Sequence, residues 1–151
     1  MMTDTPLKTD AAASHPSKSM ARHLPAVGRV LLGLLLFVPG LNGFLNFLPP
    51  PSTPIPEGAA AFAGALLNTG YMFPLIKGTE VLTGSLLLSN RFVPLALALA
   101  APVVVNIVAF HAFLAPDGMA IPLALLALEL ALAWSYRTVY RPMLGLRVRP
   151  G

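Results

Sequence analysis

The chain has 151 residues, of which 56% are hydrophobic and 11% charged, and its mean hydropathy is +0.73. Soluble domains carry about 25% charged residues, so this composition excludes an ordinary soluble globular domain. The net charge is +4, but the basic residues lie at the edges of apolar runs, which argues against nucleic acid as a partner. Because the chain has no cysteine, disulfides, thiol redox chemistry and cysteine-ligated metal sites are excluded as well.

The first part of the chain predicts a tail, a membrane span and a loop. Residues 1–26 are polar and dotted with proline, which predicts a disordered cytoplasmic tail. The apolar run 27–48 is long enough to cross a bilayer. The prolines in LPPPSTPIPEG, residues 48–58, exclude a helix there and predict an exposed loop. Residues 57–68 have apolar side chains at helical spacing, which predicts a short helix lying on the membrane surface.

Three further apolar segments predict three more spans, at about 71–89, 92–114 and 120–140. Residues 142–151 then form a short basic cytoplasmic tail. Short connections make consecutive spans antiparallel neighbours. The predicted fold class is therefore an all-α membrane protein, a four-transmembrane-helix bundle over residues 27–141 with a short extracytoplasmic surface helix in its first loop.

The distribution of basic residues predicts the orientation of the chain. Nine of the ten Lys and Arg residues lie on the N-terminal side up to Arg29, in the turn between the second and third spans, or on the C-terminal side from Arg137 onward. The other two loops contain none. Since cytoplasmic loops of membrane proteins are enriched in Lys and Arg, we expect a multi-pass membrane protein with both termini in the cytoplasm.

A few polar side chains fall inside the predicted spans, where each costs a few kcal/mol unless it has a partner or a function. Counting about 1.5 Å per residue from the basic anchors places most of them between the midplane and the outer surface, with His111 near the outer interface. They are candidates for ligand binding or proton exchange: Glu80, Lys77, Asn42, Asn106, His111 and Glu129. No metal site is predicted.

Each of these residues also has a structural interpretation. Asn and His side chains often hold membrane helices together by hydrogen bonds. Lys77 and Glu80 stand three residues apart on one helix face, so they can form a structural ion pair. Glu129 has no basic residue within two turns along the chain, so it must be protonated or find its counter-group on another helix.

Four stretches of the sequence together resemble the DoxX family of small bacterial membrane proteins: GRVLLGLLLFVPGLNGFLNFLP, TGYMFPLIKGTEVLTGSLLL with the following NRFVPLAL, VVVNIVAFHAFLAPDG, and LALELALAWSYR. The resemblance covers about residues 27–141. It implies a four-helix inner-membrane protein associated with quinone-linked membrane oxidoreductases or with assemblies that manage oxidative stress. The family pattern falls on Asn42, Glu80 and Arg91, with Asn106 and His111 as further matches.

Three functions are compatible with the sequence. The first is an accessory or redox-associated subunit whose polar intramembrane site takes a quinone-like or small polar ligand, with Lys77 or His111 donating a hydrogen bond to a quinone carbonyl oxygen. The second is a small proton-coupled permease in which Glu80 and Glu129 exchange protons. The third is a structural adaptor that docks partners through residues 49–70. The expected partners are the lipid bilayer, other membrane or redox subunits, and further copies of the chain; quinone is the expected cofactor of the first.

Overall fold

The structure is a computed structural model that describes residues 18–50 and 52–144. These residues form helices and no strand, which confirms the predicted all-α class. The helices are α1 (Lys18–Leu45), α2 (Glu57–Asn68), α3 (Met72–Leu88), α4 (Val93–Leu114), α5 (Ala120–Ser135) and α6 (Arg137–Tyr140), with 3₁₀ turns at Pro116–Gly118 and Arg141–Leu144.

Two of the helices, over His23–Leu45 and Val93–Leu114, are long and apolar enough to cross a membrane. The number of candidate spans rises to four if each of two bent pairs forms one span, Glu57–Asn68 with Met72–Leu88 and Ala120–Ser135 with Arg137–Met143. Large apolar side chains are also exposed on the outside of the molecule, among them Leu75, Phe113 and Leu130. Soluble monomers rarely expose such surfaces, so the fold suits a bilayer.

The first helix begins at Lys18, well before the predicted start at residue 27. Residues 18–26, which the sequence predicts as part of a tail, are helical in the structure, while residues 1–17 lie outside the described residues. The apolar run from residue 27 shows where the helix can contact lipid. The helix itself can begin earlier, in the polar residues 18–26, because polar side chains on a helix can face water. Pro25 and Pro39 both lie inside the unbroken helix.

The end of α1 is fixed by two asparagines. Asn46 has a φ of 49°, in the left-handed region that asparagine tolerates better than most residues. The backbone N–H of Leu48 then donates to Oδ1 of Asn42 at 2.7 Å. The helix consequently stops at Leu45 rather than at the predicted residue 48.

A helix over Glu57–Asn68 occupies the residues for which the sequence predicts a short helix. It is followed by a bend of 94° into α3. Thr69 shapes this bend, because its hydroxyl donates to the Leu66 carbonyl at 2.7 Å and accepts from the N–H of Met72 at 3.0 Å. Gly70 has a φ of 75°, which a residue with a side chain adopts only with strain.

The last predicted span is two helices rather than one. Regular helix ends at Ser135, and the following segment Arg137–Met143 is bent by 70° from α5. The hydroxyl of Tyr140 donates to the carbonyl of Pro94 at 2.6 Å, which ties α6 to the first turn of α4. This contact joins residues far apart in sequence, so helical periodicity carries no sign of it.

The four longer helices pack in a ring, with α1 against α3, α3 against α4, α4 against α5, and α5 back against α1. The α1–α3 contact is the most extensive and contains glycines from both helices. A Cβ on Gly84 would lie 2.7 Å from the backbone nitrogen of Phe37. Small residues allow this close approach of backbones, which is how helices associate in membranes.

Arg29 joins α1 to the end of α3. Its guanidinium donates to the carbonyl of Leu87, which also accepts the Asn90 N–H at 3.1 Å, and lies 3.4 Å from the carbonyl of Leu88, both in the last turn of α3. Arg29 and Arg91 therefore lie at one end of the molecule together with α6. We call this end, marked by Arg29, Arg91, Arg137 and Arg141, the basic end; the opposite end, with α2 and Pro116–Gly118, is the loop end.

We expect Arg29→Gln to lower the free energy of unfolding by about 1–3 kcal/mol, because partly buried carbonyls lose a charged donor. Chemical unfolding of the purified protein in detergent measures this. Arg137→Gln is the control, since Arg137 is exposed and bonds only within its own helix region, to the carbonyl of Trp134. Equal effects of the two substitutions would show that the Arg29 contact does not stabilise the fold.

Candidate functional site

Lys77 and Glu80 form an ion pair within α3. Nζ of Lys77 lies 2.8 Å from Oε2 and 3.1 Å from Oε1 of Glu80, so both carboxylate oxygens are bonded. The Glu80 side chain is 4% exposed and the Lys77 side chain 21%. Lys77 Nζ also lies 6.0 Å from the centre of the Phe73 ring. The carboxylate is thus satisfied within its own helix.

The pair lies against a glycine surface of α1. A Cβ on Gly40 would come within 2.8 Å of the Glu80 Cβ, and one on Gly43 within 2.6 Å of the Lys77 Cγ. Side chains at these glycines would therefore displace the pair. The stems of both charged residues fill the groove that the glycines leave, so the helix contact and the ion pair depend on each other.

The two asparagine candidates do different things. Asn42 accepts the Leu48 N–H, as described above, and so serves the turn after α1. Asn106 is exposed on α4 and makes no side-chain hydrogen bond with the residues that the structure describes. The interior cluster expected from depth alone therefore does not contain Asn106.

Glu129 is buried in α5, with 5% of the residue exposed. Its Oε2 has no hydrogen-bond partner within the described part of the chain. No group of three or more His, Asp or Glu residues that could hold a metal ion occurs in that part either. Glu129 is an isolated carboxyl group rather than a member of the Lys77–Glu80 pair.

His111 lines a cavity at the loop end, which we call the outer cavity. Its volume is about 530 Å³, within the range of small-molecule sites. The wall combines the proline-rich loop, α2, α4 and the 3₁₀ turn; its residues are Thr53, Pro54, Ile55, Pro56, Ala59, Phe110, His111, Ala115, Asp117 and Gly118.

The hydrogen bonding of His111 defines its tautomer. Nδ1 lies 2.8 Å from the carbonyl oxygen of Ile107. Since a carbonyl only accepts, Nδ1 carries a proton, and in the neutral ring Nε2 is left as an acceptor. A Cβ on Gly118 would lie 3.3 Å from Nε2, so this nitrogen faces another residue of the cavity wall.

An aromatic surface completes the outer cavity. The rings of Phe110 and His111 meet edge to face with centroids 5.1 Å apart. Phe62 of α2 packs behind Phe110 at 5.7 Å. The cavity therefore offers an aromatic wall, one imidazole acceptor and the carboxylate of Asp117, a combination suited to a flat ligand with a polar edge.

Two further cavities have almost wholly apolar walls. One, of about 480 Å³, lies between α1 and α5 near the basic end, and four of its lining residues are leucines: Leu24, Leu31, Leu128 and Leu132. The other, of about 300 Å³, lies between the start of α4 and the α6 region. Of the three cavities, none is lined by Lys77, Glu80, Asn42, Asn106 or Glu129.

The structure thus separates the predicted residues into an ion pair, a turn, an exposed asparagine, an isolated carboxyl and a cavity-lining histidine. Arg91, which the family pattern also includes, is exposed in the turn before α4. Sequence analysis missed Asp117 and Phe110 as neighbours of His111. The sequence carries a sign of the Asp117 contact, because Asp117 stands six residues after His111, in the turn that follows the end of α4, and can fold back toward it. It carries no sign that the loop 52–56 closes the cavity.

No family model, curated protein or solved structure matches the chain. The resemblance to the DoxX family consequently stays a prediction from the motifs. The functional assignment depends on the side chains and on the geometry described above.

Proposed function

We propose that the chain is a four-span protein of the cytoplasmic membrane with both termini in the cytoplasm. The basic end supports this orientation, because Arg29, Arg91 and α6 gather there. The loop end carries Glu57 and Asp117, and its connections 46–70 and 115–119 contain no Lys or Arg. Positive charge is retained on the cytoplasmic side of membrane proteins.

The shorter helices fit the same arrangement. At about 1.5 Å per residue, the 17 residues of α3 rise about 26 Å and the 16 of α5 about 24 Å. Both are close to the hydrocarbon thickness of about 30 Å, and α1 and α4 are longer. The 94° bend before α3 supports the placement of α2 along the outer membrane surface.

Within this bundle we propose a ligand site in the outer cavity. The ligand class is a quinone-like or small polar aromatic molecule, as expected of a DoxX-like accessory or redox-associated membrane subunit. The observation that carries the proposal is the Nε2 of His111, left as an acceptor by the Nδ1 contact with Ile107, in the wall of an aromatic-lined cavity of about 530 Å³. The Lys77–Glu80 pair, with both carboxylate oxygens bonded, acts as a structural element.

The tautomer of His111 specifies which form of such a ligand binds better. Neutral His111 accepts at Nε2, so it pairs with a hydroxyl donor and not with a ring carbonyl. A quinol has hydroxyl groups where a quinone has carbonyls. The site therefore favours the reduced form, with the ring against Phe110.

We expect a short-chain ubiquinol to bind the protein in nanodiscs more tightly than the matching ubiquinone, under anaerobic conditions. His111→Asn should weaken quinol binding about tenfold, because asparagine can still reach the Ile107 carbonyl but has no atom at the position of Nε2; one lost hydrogen bond of about 1.4 kcal/mol corresponds to this factor.

The control is His23→Asn, since His23 lies near the start of α1, far along the chain from the outer cavity. Isothermal titration of both variants with the ubiquinol measures the two affinities. Unchanged binding by His111→Asn, or equal losses in both variants, would overturn the assignment.

Glu129 favours a second candidate, the proton-coupled permease. A buried carboxyl group with an unbonded oxygen is the kind of residue that takes up and releases protons in transporters. In proteoliposomes, a permease predicts proton-driven solute flux that Glu129→Gln abolishes. Flux unchanged by this substitution would leave the outer cavity as the sole candidate for a functional site.

A further inference from the structure

One face of α4 is exposed along its whole length. At 100° per residue its side chains fall within an arc of about 120°. They are Leu95, Leu99, Pro102, Val105, Asn106 and Phe113. The opposite side of α4 carries Ala96, Leu97, Ala100 and Val104, which are buried in the core.

Asn106 lies near the centre of this exposed face. It stands 13 residues after Val93 and eight before Leu114, so it lies about 20 Å along a helix without Asp, Glu, Lys or Arg. Its carboxamide makes no hydrogen bond with residues 18–50 or 52–144. In hydrocarbon such a group lacks even water as a partner, which is strongly unfavourable.

Pro102 adds a second polar feature to the same face. Because proline has no N–H, the carbonyl of Ala98 loses the donor that an α-helix would supply. Ala98 is itself exposed, one turn before Pro102. Two polar groups therefore interrupt a surface that otherwise presents only apolar side chains to lipid.

We infer that a second copy of this chain docks on the α4 face, with the two Asn106 side chains hydrogen-bonded across a two-fold axis. Both copies keep their Lys and Arg residues on the cytoplasmic side, so they have the same orientation in the membrane. The same residue of each copy therefore lies at the same depth and can meet its counterpart at a two-fold axis. A carboxamide both donates and accepts, so two of them satisfy each other, whereas an apolar partner helix would satisfy neither. The absence of charge on α4 leaves no electrostatic repulsion between the copies.

The face also has the dimensions of a helix–helix contact. From Leu95 to Phe113 it extends about 27 Å, nearly the thickness of the hydrocarbon layer. The proposal depends on α4 lying in the bilayer, as in the proposed function, but not on a ligand in the outer cavity. A failure to dimerise would therefore contradict only this inference, and a failure to bind quinol would contradict only the proposed ligand site.

Fluorescence energy transfer between labelled copies in liposomes, over a range of protein-to-lipid ratios, measures the association. Asn106→Leu should weaken dimerisation about 5- to 30-fold, the range for one polar contact between membrane helices. Leucine is more apolar than asparagine, so the substitution does not oppose insertion. The matched control is Asn68→Leu, an exposed asparagine at the end of α2, which should leave dimerisation unchanged.

Cross-linking locates the interface independently, because the natural chain has no cysteine. Phe113→Cys, seven residues after Asn106 on the same face of α4, should form a disulfide-linked dimer on mild oxidation, whereas Leu130→Cys, on the exposed side of α5, should not. The inference is overturned by a chain that stays monomeric at all ratios, by wild-type association in Asn106→Leu, or by cross-linking at position 130 in place of 113.

Discussion

Replacing Gly84 by alanine is expected to lower the free energy of unfolding by about 3 kcal/mol, the upper part of the range for overpacking. The added methyl group would lie 2.7 Å from the backbone nitrogen and 2.8 Å from the Cα of Phe37. Backbone atoms of a helix cannot rotate away as the end of a side chain can. The α1–α3 contact would have to open, and this is the most extensive contact in the fold.

Gly78 is the matched control on the same helix. No atom beyond its local helix lies within 4 Å of the position that a Cβ would take there, so alanine meets open space. Gly78→Ala should be neutral or raise stability by about 0.5–1 kcal/mol through helix propensity. Unfolding of both variants in mixed micelles compares them. Equal stability of the two would contradict the close approach of α1 and α3.

The second large effect is expected from breaking the Lys77–Glu80 pair on one side. Lys77→Met leaves the Glu80 carboxylate buried without its cation, which typically costs about 3–5 kcal/mol. Glu80→Met should cost less, because Lys77 is partly exposed and its long side chain can carry the ammonium group toward the surface. Unfolding in detergent measures both losses.

The double variant Lys77→Met/Glu80→Met distinguishes a structural pair from a binding site. Replacing a buried ion pair by apolar side chains of similar length is often neutral or stabilising, so the double variant should recover most of the stability. It should also bind quinol as the wild type does. A double variant that is stable but does not bind quinol would show that the Lys77–Glu80 pair of α3, and not the outer cavity alone, is needed for ligand binding.

Much of the helical arrangement follows from the sequence, because apolar periodicity and proline positions report it directly. The helix Glu57–Asn68 matches its prediction, and α3 and α4 lie within a residue of theirs. The C-terminal ends of α1 and α5 differ from the predicted ends of the first and last spans. Asn46 has a left-handed backbone where α1 ends, and Tyr136, with a φ of −98° and a ψ of 11°, lies at the break in the last predicted span.

The candidate site was less accessible to sequence analysis. Depth along each helix follows from counting residues, but it does not tell which way a side chain faces. Asn106 and Glu80 have similar expected depths, yet one is exposed and the other buried. His111 was identified as a candidate, whereas its cavity depends on the loop 52–56 returning over the end of α4, a long-range contact that no local pattern encodes.

Photolabelling tests the central claim, the location of the ligand, most directly. The wild-type protein in nanodiscs would be irradiated with a short-chain azidoquinone after reduction to its quinol, and the labelled peptides identified by mass spectrometry. We expect label on residues 53–59 and 110–118, around the outer cavity, and competition by unlabelled ubiquinol. Label on residues 40–43 and 77–80, beside the Lys77–Glu80 pair, or no competable label, would contradict a ligand site in the outer cavity.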